Sequence, residues 1–331
     1  MLKFDEKKQR DSINGALNLR HEINKIADQL HAEGYKNICW LGIGGTYASC
    51  MQVVTHMKEK TALETFVENA AEYCTTGNHR IGKGTIVVIS SVTGSTSEVI
   101  DGVRKAQANG AVVIGFVDVI TTELAQMVDY EIAYPMNEQL KFFMLADRFM
   151  YLAGEFPRYD ALYKEMEAHL ADALIETEKE ADAFGLAFAE KHKDDRMHYF
   201  VGAGNQWGAT YSYAMCYWEE QHWIPTKSIH AAEFFHGMFE IIERDTPVTV
   251  FVTEDSQRVL GERVAQFLPR ICGNYTIIDT AEYALDGFSK EFRGDISHLV
   301  IRVITNRIDM HLENINCHPM EIRRYYRKLE Y

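Results

Sequence analysis

Gly84 to Val103 reads GTIVVISSVTGSTSEVIDGV. Gly84–Val92 is a β-branched run of the kind that fills a strand buried on both faces of a parallel sheet. It empties into a hydroxyl-rich turn, Ser90-Ser91-Val92-Thr93-Gly94-Ser95-Thr96, and a helical pattern follows over Ser97–Asn109. Strand, polar turn and helix in that order make an α/β unit, and the stretches on either side repeat it.

Upstream, residues 1–33 read as helix, with Leu17, Leu19, Ile23, Ile26 and Leu30 at roughly helical spacing. Asn37–Gly42 is a short apolar strand running into Gly44-Gly45-Thr46 and a helical pattern through Lys60. Glu64–Asn69, Ala111–Val117 and Val128–Ala133 complete five strands. Alternating strands and helices predict a parallel sheet wound on both faces. Residues 138–192 read as a helical connection whose Glu165, Glu167, Glu176, Glu178, Glu180 and Asp182 form a solvated face. The pattern then recurs. Arg196–Gly202 runs into Gly202-Ala203-Gly204-Asn205 and a helix through Trp223, followed by strands at Pro247–Thr253 and Tyr275–Asp279. Gly42 to Ser90 spans 48 positions and Gly202 to Val252 spans 50, which indicates two copies of one domain. The expected fold is therefore α/β, two tandem flavodoxin-like doubly wound domains, each with a five-stranded parallel sheet. The expected boundaries are 1–155 for the first domain with its leading helix, 156–192 for the connection, 193–310 for the second domain and 311–331 for a tail.

With 331 residues, 47% hydrophobic and 25% charged, the composition is that of an ordinary two-domain globular chain. A net charge of −14 argues against nonspecific binding to nucleic acid or an anionic membrane. An anionic substrate then needs local donors. The six cysteines are scattered without a CxxC pair, as reduced core thiols are. No stretch approaches the roughly 18 apolar residues of a membrane span, and the charged start has no apolar leader. The expected compartment is the cytoplasm.

Three stretches carry candidate chemistry. Ser91, Thr93 and Thr96 place hydroxyls round a turn that Gly94 lets fold back. With the N–H groups opening the next helix they form a neutral cradle for a phosphate monoester, although a hydrated Ser/Thr loop has the same composition. The matching turn of the second copy, Thr253-Glu254-Asp255-Ser256, carries two acids that would repel an anion. One anion site per chain, in the first domain, follows. The second stretch is Cys216–Ile241, CYWEEQHWIPTKSIHAAEFFHGMFEI. Glu219 and Glu220 lie among aromatic residues, where a carboxylate suits proton transfer, and His236 stands before the flexible Gly237. The same residues also fit a solvent-facing Glu220 and a helix-capping His236. The third is the ending, HPMEIRRYYRKLEY, with four cations and three tyrosines, which reads either as a surface helix or as a lid bringing Arg323 or Arg324 to substrate. No HExxH, P-loop, nucleophile elbow or Cys/His ligand spacing appears, and neither a metal nor another cofactor is expected.

The strand with Gly44-Gly45-Thr46 and the turn Ser91-Val92-Thr93-Gly94-Ser95-Thr96 resembles the sugar isomerase (SIS) phosphosugar-binding domain. Its S-x-[ST]-G-x-[ST] hydroxyls hold a sugar phosphate. The repeat resembles the isomerase part of glutamine:fructose-6-phosphate amidotransferase, where a Glu and the His of an E-x-x-H-G segment lie sixteen positions apart. Glu220 and His236 have that spacing, and Glu233-Phe234-Phe235-His236-Gly237 matches the segment. That segment and the ending RRYYRKLEY are similar to the fructosamine-6-phosphate deglycases. Two departures are visible: Thr46 stands where many members have Ser, and Met238 stands where Pro is usual. No glutaminase domain precedes the match, which argues against an ammonia-transferring synthase.

The resemblance implies a phosphate site of Gly45, Thr46, Ser91, Thr93, Ser95 and Thr96. It implies catalysis by Glu220 and His236, with Glu233, Arg323 and Tyr325 as further substrate contacts. The substrate would be a 6-phosphorylated ketosamine, opened through an enaminol to glucose 6-phosphate and a free amine. The histidine would cross the interface of a homodimer, and no metal or redox cofactor is required. Three other readings remain open: an aldose–ketose phosphosugar isomerase, a non-catalytic sugar-phosphate sensor, and a deglycase for substrates with the amine on C2.

Overall fold

The computed structural model describes residues 1–330. The chain divides into two compact units, Lys8–Ala168 and Met1–Lys7 with His169–Tyr331.

The first unit opens with α1 (Glu6–Asn18) and α2 (Arg20–Glu33), then β1 (Asn37–Gly42), α3 (Gly45–Lys58), β2 (Thr65–Asn69) and α4 (Ala70–Thr76). It continues through β3 (Thr85–Ser91), α5 (Ser97–Ala108), β4 (Val112–Val117), α6 (Glu123–Met127), β5 (Tyr130–Ile132) and α7 (Glu138–Leu152). The five strands are parallel in the order β2-β1-β3-β4-β5. Every residue of β1 and β3 is buried, as an apolar run covered on both faces must be. Alternation sends Cys39, Leu41, Val87 and Ile89 into one core with Tyr73 of α4 and Val99 and Val103 of α5. Trp40 and Phe116 belong to the opposite face, where their ring centroids lie 5.1 and 5.5 Å from that of Phe142 on α7. There a buried triad ties three helices: His56 Nε2 lies 2.7 Å from Asp147 Oδ1, and Tyr163 Oη donates to Asp147 Oδ2 at 2.7 Å. Burial pushes the Tyr163 phenol well up from its ordinary range.

α8 (Tyr159–His192) is one helix of 34 residues, and the division between units falls within it. Two expectations for residues 138–192 need correcting. α7 is not connection but core: Leu140–Ala146, Phe149 and Met150 are buried. Glu178 is not solvated either. It is buried against Arg307, itself fully buried, which also pairs with Asp182. A buried guanidinium needs carboxylate partners, and α8 supplies them.

The second unit repeats the pattern with β6 (His198–Gly202), α9 (Trp207–Ser212), β7 (Thr226–His230), β8 (Val248–Val252), α10 (Arg258–Phe267), β9 (Tyr275–Asp279) and α11 (Lys290–Asn316). Its sheet is parallel, order β7-β6-β8-β9, the same winding as β2-β1-β3-β4. It has four strands among the described residues, not the expected five. After β9 the chain passes Leu285 and Gly287, both at positive φ, and enters α11 without an extended stretch. α11 continues to Asn316, past the position where the tail was expected to begin. The segment after α9 also departs from the α-helix expected through Trp223. Tyr213–His222 is wound as a π-helix of ten residues. No helix among the described residues is long and apolar enough to cross a membrane.

Candidate active site

In the first unit, β1 and β3 are hydrogen-bonded neighbours whose connections leave in opposite directions, to β2 on one side and β4 on the other. This is the switch point of a doubly wound sheet, the place where such folds bind ligands. Both candidate turns sit at its carboxyl edge, so the sheet brings Gly45 and Thr46 to the same edge as Ser91, Thr93, Ser95 and Thr96. Gly42 ends β1 where a Cβ would meet Tyr47 N at 2.7 Å, so only glycine lets α3 start against the strand. Thr46 Oγ1 lies 3.5 Å from Glu138 Oε2. In the second turn, Gly94 N–H donates to the buried Ser91 Oγ at 2.9 Å, closing the loop on itself. Gly94 has φ +60°, and a Cβ there would meet Thr122 Oγ1 at 2.2 Å. Thr93 and Ser95 are exposed and joined hydroxyl to hydroxyl at 2.9 Å. The Thr96 carbonyl accepts from Val99 and Ile100 N–H at the start of α5.

The second unit fills the equivalent place from its own chain. Asp255 Oδ2 accepts the Asn205 N–H and the Thr253 hydroxyl, each at 2.9 Å, and Oδ1 accepts the Gln257 N–H at 2.9 Å. A Cβ on Gly204 would fall 2.3 Å from this carboxylate. A covalently attached anion thus occupies amides at both strand-to-helix turns of the second unit, where the first unit carries hydroxyls. Glu254 is held by Arg293 at 2.8 Å.

The candidate proton-transfer residues lie in this second unit. The π-helical segment presents Glu219 and Glu220 side by side, and the structure separates their roles. Glu219 Oε1 accepts from Thr226 Oγ1 at 2.9 Å and Thr226 N–H at 3.2 Å, fastening the segment to β7. Glu220 is half-buried and accepts from Arg323 Nε of the tail at 2.7 Å. The neighbouring Arg324 guanidinium sits 4.0 Å from the Trp223 ring centroid, and the His318 ring lies 4.2 Å from Trp223. His236 ends the 3-10 stretch Ala231–His236 and is exposed, as is Glu233. His236 makes no hydrogen bond among the described residues, and none joins it to Glu220. Gly237 follows at φ +150°, ψ −50°, a conformation that suits glycine. Tyr325 is exposed.

Sequence reasoning missed one cluster. His192 Nδ1 and His198 Nδ1 each lie 2.8 Å from Asp195 Oδ2, and their ligand-type atoms fall within 4.8 Å of one another. The H-x-x-D-x-x-H spacing was its signal. Burial would raise the Asp195 carboxyl, but the two imidazoles hold it below the usual range. Burial pushes His198 down to about 4, and its Nε2 meets Thr249 Oγ1 at 2.8 Å. The donors are engaged with one another as a hydrogen-bonded unit.

Residues 34–149, which hold both turns of the first unit, match the SIS domain family model. Solved structures agree on the fold of the whole. A provisionally assigned phosphosugar isomerase of Salmonella typhimurium LT2 superposes with TM-score 0.88 at 24% identity, covering 94% of this chain and 99% of that one. A Bacillus subtilis protein of the same provisional assignment gives 0.87 at 22% identity, covering 94% and 97%. Among curated proteins, the chain is similar to Fructosamine deglycase FrlB of Bacillus subtilis (strain 168), 24% identical over 95% of this chain and 98% of the relative. It is also 24% identical to the isomerizing glutamine–fructose-6-phosphate aminotransferase of Thermococcus kodakarensis, over 72% of this chain but 41% of that protein.

The Asp255 arrangement carries a testable consequence. Asp255→Ala leaves two turn amides and a hydroxyl without their acceptor and should lower unfolding free energy by about 3 kcal/mol in urea titrations. Inorganic phosphate should then raise the melting temperature of the variant more than that of the parent.

Proposed function

We propose that the protein is a deglycase that hydrolyses a 6-phosphorylated ketosamine to glucose 6-phosphate and a free amine. The observation that carries this reading is the end-to-end similarity to a fructosamine deglycase, 95% of one chain against 98% of the other. The turn at the β1/β3 switch point supports it by offering hydroxyls to a phosphate, and the phosphate supplies the remote binding energy that positions the reacting carbons.

Glu220 takes the proton from C1, beside the C2 carbonyl, to give an enaminol, and returns it at C2. The C1–N bond is then an imine. Water adds at C1, the C1–N bond breaks, and the amine leaves with the proton. His236 serves as acid and base at the ring oxygen and the departing nitrogen. Arg323 holds the Glu220 carboxylate in place, while Glu219, committed to Thr226, takes no part. The exposed His236, without a hydrogen bond among the described residues, fits a role across the interface of a homodimer.

The decisive assay couples amine release to glucose 6-phosphate formation on the 6-phosphates of fructoselysine, fructose-asparagine and glucoselysine, with fructose 6-phosphate and glucosamine 6-phosphate beside them. Release from a glycated amine is expected. Interconversion of fructose 6-phosphate without amine release would replace this reading with a phosphosugar isomerase. Glu220→Gln should lower kcat about 100- to 10,000-fold, the usual worth of a positioned acid/base, and Glu219→Gln should leave it within a few-fold. Mixing inactive Glu220→Gln and His236→Asn proteins under subunit exchange should restore roughly a quarter of parental activity if each site takes one residue from each subunit of a symmetric dimer. No recovery would place both residues in one chain.

A further inference from the structure

We infer that Asp309 is a positioning residue that locks Tyr213–His222 in its π winding and thereby sets the direction of Glu220. The inference rests on Glu220 being the base. Asp309 is fully buried on α11. Its Oδ1 accepts from Tyr213 Oη at 3.0 Å and lies 3.3 Å from His222 Nε2. These are the first and last residues of the π segment. Seven positions earlier on the same face of α11, Arg302 Nη1 lies 3.6 Å from Asp309 Oδ2, and its guanidinium sits 4.5 Å from the ring centroid of Tyr217. One helix face therefore grips the segment at positions 213, 217 and 222.

That grip is specific to the winding. Tyr213 and His222 are nine positions apart. At 3.6 residues per turn nine positions make two and a half turns, which places the two side chains on opposite sides of an α-helix. With i→i+5 bonding the repeat is about 4.4 residues, so nine positions make about two turns and both side chains share one side. A single carboxylate oxygen can meet both only in the π form. Glu220, seven positions after Tyr213, completes nearly two turns in an α-helix and would face the buried side with Tyr213. In the π form it completes about one and a half turns and points away from Asp309. The half-buried Glu220 and the buried Tyr213 and His222 agree with that direction. Long π segments are rare and need tertiary support, and the buried carboxylate supplies it.

The test uses Asp309→Asn, with Tyr213→Phe and His222→Gln as milder variants that each remove one arm. Hydrogen exchange of the amides in 213–223 reads the lock directly. We expect exchange there to rise about tenfold or more, with β8 and α10 as slow as in the parent. Unchanged protection in all three variants would overturn the lock. Kinetics on the substrate found above read the positioning. A drop in kcat of about tenfold or more is expected, with KM within about threefold, because the phosphate site is untouched. The drop should vanish in a Glu220→Gln background. An equal drop in that background would overturn the positioning role and leave a merely structural one. Should Glu220→Gln itself turn over at the parental rate, the base assignment falls, while the exchange measurement still decides the lock.

Discussion

Each strand-to-helix turn at the carboxyl edge of a parallel sheet leaves backbone N–H groups without a partner in the ladder, and these must meet an acceptor. The two copies in this chain answer that constraint differently. The second answers it internally: Asp255 sits on the amides of Asn205 and Gln257 and on the Thr253 hydroxyl. The first meets part of it with Ser91 Oγ on the Gly94 amide and arrays hydroxyls, without an acid, through Thr93–Thr96. A turn satisfied by its own carboxylate has no use for an anionic ligand. A turn lined by neutral donors gains stability whenever one binds. In a chain of net charge −14, whose overall field opposes an anion, the first turn offers neutral donors where the second holds its own carboxylate.

The same division shows in how the second copy treats its acids. Glu219 and Glu220 are adjacent and chemically identical, yet one is spent on Thr226 and the other is met by a guanidinium from a hundred positions downstream. A carboxylate that fastens its own helix to a strand cannot travel during a reaction. One held by a tail residue is free of that tie to the strand. Arg323 is itself braced by neighbouring tail carbonyls and by the Arg324–Trp223 stack, so the tail carries its own order to the site.

Much of this was legible in sequence, and the failures have physical causes. Fully buried strands such as Asn37–Gly42 and Thr85–Ser91 announce themselves because burial on both faces demands continuous β-branched and aromatic residues. The edge strand Thr226–His230 escaped because TKSIH is mixed and only half-buried. The repeat could have supplied it, since the first copy has a strand at that place. Glu178 read as a solvated acid because its partner Arg307 lies 129 positions away. The π winding left no trace at all, since no residue preference separates i→i+4 from i→i+5 bonding. Of the candidate site, the hydroxyl turn and the Glu220–His236 spacing could be read, whereas the Asp255 surrogate, the Arg323 contact and the Asp309 grip are tertiary facts.

The last of these bears on why a costly winding persists where a cheaper α-helix could run. In an α-helix the aromatic side of this segment and Glu220 would turn inward together, burying a carboxylate beside Asp309 and setting two acids against one partly exposed arginine. The π form separates them: Tyr213, Trp218 and His222 go to the core, and Glu220 goes to the side reached by Arg323. Trp218 fills the face of the sheet at Phe200 with ring centroids 5.0 Å apart, and Tyr213 lies 5.2 Å from the same ring. Core packing, the buried Asp309 and the outward carboxylate therefore all favour one winding. The cost of that winding is offset by the buried carboxylate that holds both of its ends.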